Sequence, residues 1–315
     1  MAQIPVRTLP GFGSDPTMDA EARIEAVLES AVAKATATAC PARLAEAINY
    51  AIFPGGGRVR PGLCLAVAAA CGDPSPSLSD AAAAAVELLH CASLVQDDLP
   101  CFDNASLRRG RPALHKHFGE EVAILVGDVL IVLAFDVVLA QLPRLPAQAA
   151  AILGVLARAA GAPAGIAAGQ AWESEPSIDL GTYHHAKTGA LFEAAAAAGA
   201  LAAGAEPEAW RSVGGLLGDA YQVADDLADA MGEPEQLGKA TRQDREKLRP
   251  NLVDQLGLFE ARRRLDELVA KAKQSIPPCF QRGNVEQFLS SAAARLCPAG
   301  LGDKAAARGV ASGRR

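Results

Sequence analysis

Residues 87–111 of the chain read ELLHCASLVQDDLPCFDNASLRRGR. An apolar run with helical character ends there in Asp97 and Asp98, and Asp103 follows six residues after the first of them. Three arginines come directly afterwards: Arg108, Arg109 and Arg111. Carboxylates at the edge of a buried segment are costly unless something compensates their charge. The stretch therefore indicates a helix that delivers acidic side chains to a site, with basic side chains close by.

The types of charged residue indicate what such a site would bind. Hard divalent cations such as Mg²⁺ prefer carboxylate and phosphate oxygens. Guanidinium groups are planar and can grip a phosphate through two hydrogen bonds. Acid and base packed together in this order predict a diphosphate that is held through metal ions, with arginine support.

A second acidic cluster lies at residues 221–229, which read YQVADDLAD. On a helix, Asp225 and Asp229 lie one turn apart on the same face, and Gln222 lies a turn earlier. Two such clusters on two apolar helices can face each other across a cavity. This arrangement favours a clamp of several metal ions around one diphosphate.

The two motifs resemble those of the trans-prenyl diphosphate synthases, also called polyprenyl synthetases. The first reads Asp-Asp-x4-Asp followed by Leu-Arg-Arg-Gly, and the second Gln-Val-Ala-Asp-Asp-x-x-Asp. The resemblance covers residues 44–257. Its wording is most similar to the geranylgeranyl diphosphate synthases of bacterial carotenoid and pigment pathways, which share the stretches FPGG, HCASLV and GQAWESE. It implies an all-α fold, a single large helical bundle of the isoprenoid synthase type around a deep central cavity.

Composition agrees with a helical enzyme. Half of the 315 residues are hydrophobic, but alanine supplies much of that share, and aromatics make up only 4%. Alanine-rich runs favour helix, and no alternating β-branched segment is evident. The net charge of −6 argues against a general nucleic-acid surface. No signal-peptide pattern is evident at the N-terminus, so we expect a cytoplasmic protein.

The chain is expected to form one domain, because no linker divides it. Residues 1–17 are expected to be a loose tail, residues 18–299 the helical domain and residues 300–315 a disordered basic tail. Residues 120–141 are predicted to form the central apolar helix. Residues 122–142 could pass for a membrane span, but Asp128 and Asp136 interrupt them, and a buried helix is the favoured interpretation. No membrane span is therefore expected.

The resemblance implies which residues hold metal and substrate. The expected metal ligands are Asp97, Asp103 and Asp225, with three Mg²⁺ ions per active site for which Mn²⁺ can substitute. The residues expected to bind the diphosphates of the substrates are Arg58, Arg60, His90, Arg108, Arg109 and Lys239. The residues expected to act on the reacting groups are Lys187, Thr188 and Gln222. A buried lysine without a partner would lose its charge, so a phosphate partner is the favoured interpretation for Lys187.

One position departs from the family pattern. The glycine-rich loop before residue 61 carries Gly57 where the family has a lysine of the homoallylic-substrate site. Arg60 matches the binding arginine of the family, and Arg58 is expected to compensate for the missing lysine. We do not interpret the departure as a loss of activity.

The implied reaction joins an allylic diphosphate (dimethylallyl, geranyl or farnesyl) to isopentenyl diphosphate. Ala92 and Ser93, four and five positions before Asp97, are small side chains where farnesyl-producing relatives commonly carry an aromatic residue. Geranylgeranyl diphosphate is therefore the expected main product. A farnesyl diphosphate synthase and a longer-chain polyprenyl diphosphate synthase are the alternatives.

Other classes of protein fit the motifs less well. A terpene cyclase normally carries Asn, Ser or Thr and Glu in its second metal motif. A non-catalytic regulatory subunit typically lacks one Asp cluster, and both are present here. A purely structural bundle would leave the acidic and arginine clusters unexplained. By analogy with helical family members, a homodimer is expected.

Overall fold

Helices follow the alanine-rich composition of the chain, since alanine has the highest intrinsic helix propensity. A computed structural model describes residues 16–53, 56–231 and 252–296. The helices in chain order are α1 (Pro16–Ala35), α2 (Ala42–Ile52), α3 (Val59–Ala70), α4 (Pro76–Asp97), α5 (Leu114–Phe118), α6 (Glu120–Leu139), α7 (Pro146–Ala160), α8 (Ile166–Ala171), α9 (Leu180–His184), α10 (Ala190–Ala202), α11 (Glu208–Met231), α12 (Leu252–Gln274) and α13 (Arg282–Leu296). A two-stranded antiparallel hairpin, β1 (Leu107–Arg108) and β2 (Arg111–Pro112), lies between α4 and α5.

The centre of the bundle is formed by α4 and α10. Helix α4 packs against α3, α6 and α10, and α10 packs against α3, α7 and α11. Their alanines are almost fully buried. A Cβ atom added to Gly199 of α10 would lie 2.2 Å from the carbonyl oxygen of Cys64 in α3. Small side chains thus allow the helix backbones to approach closely, which fixes the orientation of the helices that carry the acidic motifs.

The prediction that residues 120–141 form the central helix is wrong in part. Helix α6 lies on α4, but its other face is exposed, with Ile124 52%, Leu125 52% and Val132 68% accessible. Among the described residues, two helices are long and apolar enough to cross a membrane on length and composition alone. The buried share of the apolar 18-residue stretch is 78% in α4 but only 39% in α6. Asp128 and Asp136 are also exposed, so their charges were the sequence signal of the side of α6 that faces outward.

Two irregular helical segments lie between α7 and α10. A 3₁₀ turn at Trp172–Ser174 follows α8. His185–Gly189 form a π-helix between α9 and α10. Gly169 of α8 packs against this π-helix, since a Cβ atom there would lie 2.5 Å from the backbone nitrogen of Lys187. The 3₁₀ turn and the π-helix both lie beside the candidate site.

Candidate active site

The two neighbouring aspartates at the end of α4 have different environments. Asp98 is buried, and its carboxylate accepts hydrogen bonds from Arg108, at 3.0 Å from Nε and 2.5 Å from Nη2. Asp97 is the last residue of the helix and lies 3.5 Å from the ammonium group of Lys187. Asp98 therefore anchors the arginine hairpin, while Asp97 faces the π-helix across the site.

The loop after α4 brings Asp103 back toward Asp97. The backbone N–H of Asp103 donates to the carbonyl oxygen of Asp97 at 2.9 Å, and the N–H of Ala105 donates to that of Asp98 at 3.2 Å. Asn104 takes a left-handed conformation (φ 47°), which asparagine tolerates better than most residues. The turn thus returns the third aspartate of the first motif to the side of the first.

Lys187 has carboxylate partners in this structure. Its ammonium contacts the carboxylate of Glu173 closely, and Glu173 also accepts a hydrogen bond of 2.8 Å from the Tyr183 hydroxyl. Lys187 is therefore not a lone buried lysine, because Glu173 and Asp97 compensate its charge, and the phosphate partner stays a prediction. The sequence signal for this pairing was Glu173 itself, an acidic residue within the stretch GQAWESE.

Burial is the main cause of a raised pKa at Asp97. The positive charge of Lys187 lowers this pKa, whereas the negative charges of Asp103 and Glu173 raise it. Mutual repulsion among these carboxylates means that a cation entering the site would be bound favourably. The raised pKa is thus a consequence of acidic groups gathered in a partly desolvated place.

In the second acidic motif, as in the first, one of the two neighbouring aspartates is buried and hydrogen-bonded and the other is less buried. Asp226 is 3% exposed and accepts hydrogen bonds from the Gln222 amide at 3.0 Å and from the backbone N–H of Leu252 at 2.9 Å. Asp225 is less buried. The hydroxyl of Thr188 donates to the Gln222 side-chain oxygen at 3.2 Å. The π-helix therefore links α4, through Lys187 and Asp97, with α11, through Thr188 and Gln222.

Arg60 and His90 form a cationic corner next to these carboxylates. The Arg60 guanidinium lies 4.4 Å from the ring centre of Phe192 and 3.5 Å from Nε2 of His90. Its Nε–H is buried and has no hydrogen-bond partner among the described residues. A buried donor of a charged group without an acceptor is costly, so this corner fits an anionic ligand.

The imidazole of His90 is held neutral. Its pKa lies well below the ordinary value because of burial and the nearby charges of Arg60, Arg109, Arg108 and Arg58, in that order. The arginines therefore carry the positive charge of the corner, and His90 offers hydrogen bonds.

Arg109 is placed by the hairpin turn. The two residues at the turn, Arg109 and Gly110, both have positive φ (54° and 73°). Two-residue hairpin turns of this kind match the right-handed twist of the strands that they join. A Cβ atom on Gly56 would lie 2.8 Å from Nη2 of Arg109. The glycine-rich loop and the arginine hairpin thus lie in contact. Arg111, the third arginine, stacks on Tyr50 at 3.7 Å and donates to the carbonyl oxygen of Phe53 at 2.9 Å.

The expectation that Arg58 compensates for the missing lysine disagrees with the geometry. Its guanidinium is buried and binds Glu25 at 2.7 Å and Glu87 at 2.5 Å. Sequence analysis missed this cluster, although a glutamate within the apolar run of α4 signals a buried partner.

The remaining predicted site residues are placed as follows. Ala92 is 1% exposed, and Ser93 is half-buried, one turn before Asp97 on the same face of α4. The Ser93 hydroxyl donates to the His90 carbonyl oxygen at 2.8 Å. Lys239 and the side chain of Asp229 lie outside the described residues.

The carboxylates suit metal ions that bring other ligands with them. Within the part of the chain that the structure describes, no three His, Cys, Asp or Glu side chains converge into a ready-made metal cage. Mg²⁺ is usually bound through one or two carboxylates together with water and substrate phosphates. The separated acidic groups around Asp97 and Asp225 fit this mode of binding.

Comparison with known proteins agrees with the site. Residues 41–277 match the family model described as polyprenyl synthetase. A geranylgeranyl diphosphate synthase of Cereibacter sphaeroides is 49% identical over 279 residues, which cover 89% of this chain and 97% of the relative. The chain belongs to the polyprenyl synthetase family. The predictions of the family and of a prenyltransferase are confirmed.

Solved structures confirm the all-α fold. A geranyltransferase from Legionella pneumophila has a TM-score of 0.75 and 30% identity, covering 89% of this chain and 96% of that one. A geranyltransferase from Helicobacter pylori, complexed with magnesium and isoprenyl diphosphate, has a TM-score of 0.73 and 26% identity. The match covers 91% of this chain and 99% of the Helicobacter protein.

The charge network around Asp97 predicts two opposite pKa changes in the metal-free protein. Lys187→Met removes the charge that lowers the Asp97 pKa, so that pKa should rise. Glu173→Gln removes a negative charge, so it should fall. Carboxyl-carbon NMR titration measures both. Because the folded pKa is already raised, Asp97 contributes less to the free energy of unfolding as pH rises from its unfolded to its folded pKa.

Lys271→Met serves as the control, since Lys271 is exposed near the end of α12. It should leave the Asp97 titration unchanged. Shifts of the same sign in Lys187→Met and Glu173→Gln would contradict the assigned network.

Proposed function

We propose that the protein condenses an allylic diphosphate with isopentenyl diphosphate, mainly to geranylgeranyl diphosphate. The observation that carries the proposal is the close placement of two carboxylate clusters and a buried, incompletely paired Arg60. Such a site fits a ligand that is anionic and binds metal ions at the same time. The geranylgeranyl diphosphate synthase at 49% identity supports the choice of product.

The proposed metal ligands are Asp97, Asp103 and Asp225. We assign the site three Mg²⁺ ions, with Mn²⁺ as a substitute, and the relative complexed with magnesium and isoprenyl diphosphate supports the metal. When bound there, Mg²⁺ supplies charge neutralisation that makes diphosphate a better leaving group.

The basic residues hold the two substrates. Arg108, fixed by Asp98, and Lys239 are assigned to the allylic diphosphate. Arg60, His90 and Arg109 are assigned to isopentenyl diphosphate, with His90 as a neutral hydrogen-bonding group. Arg109 lies against the backbone of Gly56. Because glycine has no side chain, an anion can approach the backbone closely at this second site.

The reaction begins when the allylic C–O bond breaks to give an allylic cation and diphosphate. The oxygens of Thr188 and Gln222 present negative dipole ends toward the cation, and Lys187 keeps its charge beside the leaving group. The double bond of isopentenyl diphosphate attacks the cation and forms the new C–C bond. A proton then leaves to the released diphosphate, and a double bond is restored. Exclusion of water prevents capture of the cation.

Removal of either facing aspartate should abolish most of the activity. Asp97→Ala or Asp225→Ala should reduce turnover by about two to three orders of magnitude, since each removes a hard metal ligand. Incorporation of labelled isopentenyl diphosphate with each allylic starter, followed by mass analysis of the products, measures both turnover and chain length. Asp266→Ala, on the exposed face of α12, is the control and should remain active. Near-normal turnover of Asp97→Ala in excess Mg²⁺ would contradict the proposal.

Product length is proposed to depend on Ala92 and Ser93. Ser93→Phe places a ring one turn from Asp97 on the same helix face, so the main product should shift from 20 to 15 carbons. Ala92→Phe should act in the same direction, although its buried position will also reduce stability. Ser93→Ala should keep the 20-carbon product. If both phenylalanine variants fold and still make mainly the 20-carbon product, the growing prenyl chain does not pass Ala92 and Ser93.

We further propose that the exposed face of α6 joins two copies of the chain. Its apolar residues alternate with the exposed Asp128 and Asp136, and carboxylates within the stripe disfavour insertion into lipid. A self-complementary helix face is the usual basis of a two-fold dimer. Light scattering after size exclusion should give a dimer for the parent protein and a monomer for Val132→Glu.

Phe280→Glu provides the matched control for the dimer. Phe280 is 85% exposed and lies between α12 and α13, away from α6. This variant should keep the dimeric mass. A monomeric parent protein, or an unchanged mass for Val132→Glu, would contradict this interface.

A further inference from the structure

Arg58 directly precedes α3, and its side chain points away from the cationic corner formed by Arg60 and His90. It is the N-cap residue of that helix and has left-handed backbone angles (φ 46°, ψ 32°). Its side chain is 4% exposed. Arg60, two residues later, lies against Phe192 and His90. The unusual conformation at Arg58 therefore sends two nearby arginines to different partners.

The Arg58 guanidinium is enclosed by acceptors. Nε donates to Glu25 at 2.7 Å, Nη1 donates to Glu87 at 2.5 Å, and Nη2 donates to the carbonyl oxygen of Ile52 at 3.1 Å. The buried Glu87 is 2% exposed. Burial lowers the Arg58 pKa, but the Glu25 hydrogen bond and the Glu87 charge outweigh this effect and raise it. A guanidinium so enclosed is not open to a diphosphate.

The acceptors come from three different helices. Glu25 belongs to α1, Ile52 ends α2, and Glu87 lies in the buried part of α4. Arg58 itself starts α3, and its carbonyl oxygen accepts from the N–H of Gly62 at 3.0 Å. Four helices are thus joined at the glycine-rich loop, where backbone stiffness is low because glycine has few steric restrictions.

We propose that Glu25, Arg58 and Glu87 form a positioning cluster that sets the Gly56–Gly57 loop and Arg60 for the homoallylic diphosphate. The inference rests on the proposed function. It explains how a loop that lacks the family lysine still presents an ordered anion site: two carboxylates hold Arg58, which leaves Arg60 and Arg109 to face the ligand. Arg58, Glu25 and Glu87 touch no substrate and act through the loop.

The double variant Arg58→Met/Glu87→Met separates positioning from stability. Replacement of a whole buried ion pair by apolar side chains is often neutral or stabilising, whereas removal of one partner strands a charge. Glu87→Gln alone should therefore lower the melting temperature, and the double variant should recover much of it. Both should raise KM for isopentenyl diphosphate about tenfold, which corresponds to a loss of about 1.4 kcal/mol of anion binding. The allylic KM and kcat should stay within about threefold of the parent values.

Amide hydrogen exchange across residues 56–62 provides a readout that needs no turnover. Exchange in this loop should be faster in the double variant than in the parent protein, despite the recovered melting temperature. Arg23→Met is the matched control. Like Glu25, Arg23 lies on α1, and like the Arg58 cluster it joins α1 to α4, through its ion pair with Asp80; it also pairs with Asp73. It should lower stability but leave both the loop exchange and the KM unchanged.

The outcomes distinguish this inference from the proposed function. A parent protein without turnover refutes the proposed function, and the exchange data then decide the positioning role alone. A folded double variant with parental loop exchange overturns the positioning role. Parental KM for isopentenyl diphosphate in an active, folded double variant overturns it as well.

Discussion

Charge compensation between Asp97, Lys187 and Glu173 is the interaction on which the arrangement of the site depends. The ammonium lies between two carboxylates, 3.5 Å from Asp97 and in close contact with Glu173. It joins the end of α4 to the π-helix, and the π-helix in turn meets α11 through Thr188 and Gln222. Without this cation, the acidic groups of the first motif would repel one another in a partly desolvated place. Lys187 therefore offsets part of the negative charge of the first motif, and acidic groups remain for metal ions.

A second constraint is the close packing of helix backbones behind the site. A Cβ atom on Gly218 of α11 would lie 3.0 Å from the Cα of Gly189, and one on Gly214 would lie 2.4 Å from the Phe192 carbonyl oxygen. Glycine at these positions lets α11 approach the π-helix and α10. The distance between the two acidic motifs thus depends on residues that take no part in the chemistry.

The sequence predicted the parts of the site that follow from helical spacing. Asp97 lies at the helix end that the apolar run implies, and Gln222 lies on the same helix as Asp225, as the spacing of the second motif implies. Within each Asp-Asp pair, however, helical spacing did not distinguish the facing residue from the anchoring one, and the choice of Asp97 and Asp225 as metal ligands came from the family resemblance. That difference depends on Arg108 for Asp98 and on the N–H of Leu252 for Asp226, which are long-range contacts.

Arg58 shows the same limit more sharply. Its partners lie 33 and 29 residues away in the chain, and its direction depends on one left-handed backbone conformation. The exposed face of α6 was signalled only by Asp128 and Asp136, because apolar residues on both sides of a helix carry no information about which side is covered. Local sequence patterns therefore identified the acidic and basic residues of the site, whereas the partner of each charged group could be identified only from the three-dimensional structure.

We propose that acidic groups of both motifs bind one diphosphate together through metal ions. Isothermal titration of the protein with inorganic diphosphate, with and without Mg²⁺, measures this binding. We predict Mg²⁺-dependent binding that is weakened at least tenfold in Asp97→Asn and in Asp225→Asn, but not in Asp219→Asn, whose side chain is exposed on α11. Equal binding without Mg²⁺, or binding that neither Asp97→Asn nor Asp225→Asn affects, would contradict a shared metal–diphosphate site.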